Sequence, residues 1–200
     1  MSDFTPTRSV VLEQKDERRA MQEGYVFLDE KCLLLAGEML RELEHYAELQ
    51  RVFLRAWESA LTALQRAVAR HGLQGLLVYP AADLGGAGIH RRPRSLMGVR
   101  LQQAELTVPP APVPPSVERS PEAEACRRAF RHLSAQAAPL AAVAGNLARL
   151  EQEYRRAVRR ARALQDVLLP ELDRTLYDIE TRLEELEQED AIWMRSGSRG

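Results

Sequence analysis

Residue types that perform chemistry are present in this sequence, but their spacing withholds most of the reactions they could support. The run Gly85-Gly86-Ala87-Gly88 has the small residues needed to bring backbone N–H groups against a phosphate. It lacks the spacing of a dinucleotide fingerprint, and no Lys-Ser or Lys-Thr follows it, so it reads as a turn. His45, His71, His90 and His132 show no paired-ligand spacing and stand beside no nucleophile, which argues against a metal centre. Glu184, Glu185, Glu187 and Glu189 share a helical stretch with Arg182 and read as a solvated face rather than an acid/base pair. Arg155, Arg156, Arg159, Arg160 and Arg162 form a basic stripe within two turns, suited to an acidic protein surface or to phosphates. No aromatic residue interleaves that stripe, so stacking on nucleic-acid bases is unsupported. The expectation is a chain with no catalytic residue, no cofactor and no metal.

The elements that carry these residues are two long helical arms. In the first, Met21, Tyr25, Leu28, Cys32, Leu35 and Met39 recur at alternating intervals of four and three, the signature of a heptad seam. Leu43, Tyr46, Leu49, Phe53, Ala56, Ala60, Leu64 and Ala67 continue it less regularly. The last arm repeats the pattern through Leu147, Leu150, Tyr154, Ala157, Ala161, Leu164 and Leu168, then through Leu172, Leu176, Ile179, Leu183 and Leu186. Those two runs are out of step: Leu168 to Ile179 spans eleven residues rather than fourteen, which relaxes left-handed supercoiling. Pro170 falls inside the irregular stretch, where its missing N–H frees the carbonyl of Asp166 and predicts a kink.

Two arms separated by non-helical punctuation predict a mainly α fold, a long antiparallel two-helix coiled-coil hairpin with a small β-hairpin or irregular knob in mid-chain. The first arm occupies residues 1–72, with helix from about 9 to 71, about 95 Å at ~1.5 Å per residue, and Gly72 as its stop. Residues 73–119 form the knob and its linker. There Leu76 to Pro80 and Val99 to Val108 read as short strands around the glycine turn and the Arg91-Arg92-Pro93-Arg94 stretch. Pro109, Pro110, Pro112, Pro114 and Pro115 make a stiff extended linker. The second arm is 120–200, opened by Ser120 as cap and Pro121 at the first helical position. Pro139 and Gly145-Asn146 predict a break or bend, and residues 196–200 a frayed tail.

Composition fits this plan. Of 200 residues, 45% are hydrophobic but only 6% aromatic, which suits helical seams better than a broad globular core. A formal net charge of −1 gives no field to recruit nucleic acid or an acidic membrane, and only Lys15 and Lys31 of the 28 basic residues are lysines. Cys32 and Cys126, on different arms, suggest small buried apolar residues in a reducing compartment. The N-terminal residues lack the pattern of a signal peptide and no apolar run reaches membrane-spanning length, so a cytoplasmic chain without direct membrane insertion is expected.

Particular residues narrow the reading further. Pro6-Thr7-Arg8, followed by Leu12, Lys15, Arg18, Ala20, Gly24-Tyr25 and Leu28 to Lys31, resembles the opening of the D subunits of the V-type and archaeal-type rotary ATPases. The last arm is similar to that family through Arg159-Arg160-Ala161-Arg162-Ala163-Leu164, Val167-Leu168-Leu169-Pro170, Thr175, Ile179, Leu183-Glu184-Glu185 and Glu187-Gln188-Glu189. Leu96-Met97-Gly98-Val99 resembles the short signature near the family's hairpin. The similarity spans nearly the whole chain in family order.

The resemblance implies a non-catalytic rotor axle along the axis of a hexamer of A and B subunits. Its partners would be the small F protein of the central stalk and a funnel-shaped subunit on the membrane rotor ring, so that the chain is peripheral to the membrane through the complex. Pro6, Thr7 and Arg8, with Glu184, Glu185, Glu187 and Glu189, would form the upper axle facing the hexamer. The arginine stripe would contact the stalk partner or the hexamer, and Met97, Gly98 and Val99 would belong to the lower knob. Leu28, Leu35, Leu164, Leu168, Leu172, Leu176, Ile179 and Leu183 would line the coil seam. The chain departs from the family pattern at Lys31-Cys32-Leu33, where Lys-Arg-Asp is usual, and at Arg162, where asparagine is usual. A helical-hairpin adaptor or tether unrelated to an ATPase would share the same periodicity.

Overall fold

A computed structural model describes residues 7–77, 79, 86–108 and 120–197. Pro6, the glycine run up to Gly85, the proline-rich linker and the last three residues lie outside the described residues. Helix α1 (Arg8–Leu77) is followed by strands β1 (Gly88–Leu96) and β2 (Val99–Thr107). Helix α2 (Pro121–Ala163), a π-helical turn (Leu164–Leu168) and helix α3 (Leu169–Gly197) complete the order. The fold is thus a helical hairpin carrying a small two-stranded antiparallel sheet in mid-chain. No helix among the described residues is long and apolar enough to cross a membrane.

The chain divides into two compact units, one of Met1–Leu34 with Tyr154–Gly200 and one of Leu35–Glu153. In the first, the opening of α1 runs antiparallel to α3. Thr7 ends the approach to α1 as its cap: its Oγ1 accepts the Val10 N–H at 3.4 Å and its carbonyl that of Val11 at 3.2 Å. Val11, Leu176 and Ile179 form the core of the pair, with Val10 and Leu183 packed against it. Along the rim, Arg8 meets Glu187 at 2.8 Å, Lys15 meets Glu180 at 2.7 Å and Arg18 meets Asp173 at 2.5 Å. A Cβ built on Gly24 would lie 3.8 Å from Leu164 Cδ1, an ordinary contact, so the helices meet there without crowding.

The π turn explains why the two seam runs of the last arm fall out of step. The N–H of Leu169 donates to the carbonyl of Leu164, five residues back, so this turn holds one residue more than an α-turn. Following the extra residue, the inward positions are Ala157, Ala161, Leu164, Leu169, Leu172, Leu176, Ile179 and Leu183, each buried or half-buried. Leu168 is 38% exposed and Leu169, at 9%, is buried in the place expected for it. A heptad with one inserted residue therefore replaces the eleven-residue repeat. The wider turn also lies directly before Pro170, whose ring would otherwise press on the carbonyl of Asp166.

In the second unit, α1 packs antiparallel on α2 through Ala56, Ala60 and Leu133, with Phe53, Ala129 and Phe130 around them. Gly72 breaks α1 locally with φ 67° and ψ 165°, but helix resumes to Leu77, so Leu76 and Leu77 are helical rather than extended. Strand β2 pairs with β1, from Leu96↔Val99 to Gly88↔Thr107, and the arginine stretch is itself the partner strand. The turn is Met97-Gly98 rather than the glycine run. Both residues have positive φ, 47° and 84°, as a tight two-residue hairpin with the right twist requires. Pro139 and Gly145-Asn146 do not interrupt α2, which is continuous through them. Alanines at 135, 137, 138, 141, 142 and 144 supply the strongest helix propensity on both sides and outweigh one proline and one glycine. Ser120 caps the helix, its Oγ accepting the Ala123 N–H at 3.2 Å.

Candidate functional site

The heptad spacing from Met39 and Tyr46 requires an inward residue at 42, and that residue is a glutamate. Glu38 and Glu42 are 5% and 7% exposed, whereas Leu43 is 54% exposed. Carboxylates that have left water need partners, and strand β1 delivers one. Arg94 Nη2 donates to Glu38 and, at 2.5 Å, to Glu42 Oε1; Arg41 closes on the other oxygen of Glu38 at 2.9 Å. Burial alone would lower the pKa of the Arg94 guanidinium, but its hydrogen bonds to Glu38 and Glu42 and their charges leave it raised.

Asn146 completes the arrangement from α2. It is 1% exposed, and its amide pairs with the backbone of Gln102 on β2 as a neighbouring strand would, accepting the N–H at 2.9 Å and donating to the carbonyl at 2.9 Å. Its Nδ2 also reaches Glu42 Oε2 at 3.1 Å, and Arg149 donates to its Oδ1 at 2.8 Å. Because both backbone groups of Gln102 turn toward Asn146, Pro93 opposite it sits in a non-hydrogen-bonded pair. Its nitrogen faces the open edge, where no N–H is missed. The two strands are thereby bolted to both helices through Arg94 and Asn146. Both carboxylates are occupied by arginine, and the cluster ties the hairpin to the helices. Among the described residues no group of His, Cys, Asp and Glu is arranged to hold a metal.

A second polar cluster ties the ends of the helices. His71 Nε2 is 2.5 Å from Ser120 Oγ, the Ser120 N–H donates to Tyr79 Oη at 3.0 Å, and Arg70 meets Glu122 at 3.2 Å. His71 and Tyr79 stand edge to face at 5.9 Å.

Thr7 is the cap of α1, and Arg8 is paired with Glu187 across the first unit. Glu184, Glu185 and Glu189 are exposed on α3. Arg155, Arg156, Arg159, Arg160 and Arg162 are all exposed near the end of α2. Met97 and Gly98 form the hairpin turn, while Val99, beside it, is 7% exposed and faces inward. Leu35 is fully buried, Leu176 and Ile179 are buried, and Leu28, Leu164, Leu172 and Leu183 are half-buried. The structure thus brings Arg8 together with Glu187. Sequence reasoning misses Glu38, Glu42, Arg94 and Asn146. The available signal is a glutamate standing at a heptad position, since a charge in a seam implies a partner.

Comparison with known proteins covers the same elements. The family model for the D subunits of ATP synthases matches residues 10–196. The chain is 25% identical over 191 residues to the V-type ATP synthase D subunit of Thermotoga neapolitana, covering 95% of this chain and 94% of that one. It is 28% identical over 190 residues to the A-type ATP synthase D subunit of Pyrococcus horikoshii, covering 92% and 88%. To the V-type ATP synthase D subunit of Thermus thermophilus it is 25% identical over 198 residues, covering 98% and 87%. With helical arms, hairpin and clamp all inside the matched span, the chain belongs to the family of ATP synthase D subunits.

Proposed function

We propose that this chain is the central rotor shaft of a V/A-type ATPase or ATP synthase, a non-catalytic component that carries torque between an A/B catalytic hexamer and a membrane rotor ring. The observation that supports this most is the family match from residue 10 to residue 196, which takes in both arms and the hairpin in order. A shaft has to resist twist, and a helix pair locked by a continuous seam resists it better than a single helix. The seam of the first unit meets that need, with Val11, Leu176 and Ile179 inside and three cross-helix ion pairs outside.

In this reading Pro6, Thr7, Arg8, Glu184, Glu185, Glu187 and Glu189 belong to the end that enters the hexamer. The exposed arginines at 155, 156, 159, 160 and 162 contact the small F protein of the stalk or the hexamer. The hairpin, with Met97 and Gly98 at its tip, works toward the funnel-shaped subunit, and the chain reaches the membrane only through these partners. Catalysis stays with the hexamer, and the shaft acts by stabilising different conformations at its successive interfaces. The π turn before Pro170 gives the shaft a local irregularity that makes its faces inequivalent.

The test is reconstitution of the catalytic hexamer with and without this chain and its stalk partner. The chain alone should hydrolyse no ATP, and its addition should change hexamer turnover and be required for ion pumping. Turnover and pumping that are indifferent to the chain would favour the adaptor reading instead.

A further inference from the structure

Apolar packing does not by itself fix how far α2 is slid along α1. In the second unit Ala56 and Ala60 meet Leu133, and Leu150 is fully buried farther along α2. A slide of one heptad, about 10 Å at ~1.5 Å per residue, keeps the seam positions in phase. In one direction it puts Cys126 in the place of Leu133 and Val143 in that of Leu150; in the other, Leu140 and Ala157. All four are apolar, and Cys126, Val143 and Ala157 are already buried. In the first unit the former slide offers Leu169 and Leu172 for Leu176 and Ile179. It also returns an acid to Arg8 and to Lys15, through Glu180 and Asp173. The heptad pattern is thus satisfied by more than one alignment.

The buried polar layer is satisfied by one. Asn146 donates to Glu42 at 3.1 Å, and both side chains are buried. The slide toward Cys126 brings Pro139 to the place of Asn146, and proline has no side-chain donor. The opposite slide brings Glu153, which sets acid against acid. Either leaves a buried carboxylate short of a partner, a far larger penalty than exchanging one apolar residue for another. The hairpin enforces the same alignment. Arg94 holds Glu42, its ladder partner Leu101 is followed by Gln102, and Gln102 holds Asn146 through both of its backbone groups. Displacing α2 by about 10 Å, some two strand spacings, parts one contact or the other.

We infer that the Glu42–Asn146 layer, bridged by Arg94, is a register lock: it selects one axial alignment of α1 and α2 and holds the hairpin at one height along them. A polar residue in a coiled-coil seam sets register at a cost in stability, and here both helices contribute one. The lock is independent of the shaft reading, because alignment is measured on this chain with no ATPase component present.

Spin labels at Arg55→Cys on α1 and Ala148→Cys on α2, both exposed positions, report the alignment in a full chain whose Cys32 and Cys126 are replaced by alanine. With the native layer, pulsed electron resonance should give one distance. The variant Glu42→Leu, Arg94→Met, Asn146→Leu makes the layer apolar. It should keep its helical circular dichroism and add a second population whose axial separation differs by about 10 Å. The variant Pro139→Asn with Asn146→Leu moves the amide back by one heptad, and it also removes a helix-interior proline, which favours folding. Its distance should lengthen by about 10 Å, because position 148 then lies seven residues farther along the coil from position 55. The native distance alone in the folded apolar-layer variant, or an unshifted distance in the amide-transfer variant, would overturn the inference, since packing would then fix the alignment. If the apolar-layer variant does not fold, the amide-transfer variant decides.

Discussion

Arg94 on strand β1 donates to Glu42 on helix α1 at 2.5 Å, and the same guanidinium nitrogen also serves Glu38. One guanidinium thus bridges two buried carboxylates, with Arg41 as a second cation on Glu38, and fixes the hairpin to the helix. The face the hairpin presents follows from this contact, because Arg94 pairs across the ladder with Leu101, which is 1% exposed.

Removing the cation should therefore cost more than a surface ion pair. Arg94→Ala leaves buried Glu42 without its arginine and Glu38 with Arg41 alone, and is expected to destabilise the chain by about 3 kcal/mol, a value already reduced for the partial exposure of the arginine. Denaturant unfolding checks the figure. Adding Glu38→Gln and Glu42→Gln to that variant should recover most of the loss, whereas a plain packing defect would not be rescued.

Asn146→Ala strips the Gln102 N–H and carbonyl of their side-chain partner and should cost about 1–3 kcal/mol. Amide exchange in strand β2 should quicken while the helices stay protected. Uniform exchange across the chain would mean that Asn146 contributes to global stability and does not specifically hold the hairpin.

The π turn makes a prediction about adjacent leucines. Leu169→Ala should cost about 2–5 kcal/mol, and Leu168→Ala, on an exposed side chain, less than about 0.5 kcal/mol. Deleting Val167 should convert the π turn to α and leave the seam in phase. Deleting Asp178 should rotate Ile179 and Leu183 off the core and unfold the first unit. Thermal melts of the two deletions distinguish an inserted residue from an eleven-residue repeat.

Burial raises the pKa of the Cys126 thiol, and burial followed by the charge of Asp29 raises that of Cys32. A group whose folded-state pKa is raised favours folding below its unfolded value, and that contribution is lost as pH climbs through the folded value. Stability should therefore decline on the alkaline side, from the ordinary thiol range upward. Replacing Cys126 with alanine should flatten that decline in a series of melts across alkaline pH, and an unchanged slope would exclude the thiol as its source.

Much of the fold is legible in the sequence because two signals agree. The heptad spacing of Met21 to Met39 and of Leu147 to Leu164 defines the arms, and Ser120-Pro121 marks where the second begins. The register past Leu164 is not legible, since an extra residue in a helix leaves the same mark on a sequence as a change of repeat; only the Leu169 to Leu164 hydrogen bond separates them. Strand β1 escapes because GIHRRPRSL has charges on both faces and a proline, and its pairing depends on the Met97-Gly98 turn and on Arg94 reaching Glu42. The clamp cannot be read from any single segment, because its members lie on α1, β1, β2 and α2 and meet only in the folded chain.

A shaft of the kind proposed turns while the hexamer works. The direct measurement attaches a bead to an exposed position of the chain in a reconstituted, surface-fixed complex and follows it during ATP hydrolysis. Rotation in one direction, stopping when ATP is exhausted, is the predicted result. Full-rate hydrolysis coupled to ion pumping with the bead stationary would contradict it.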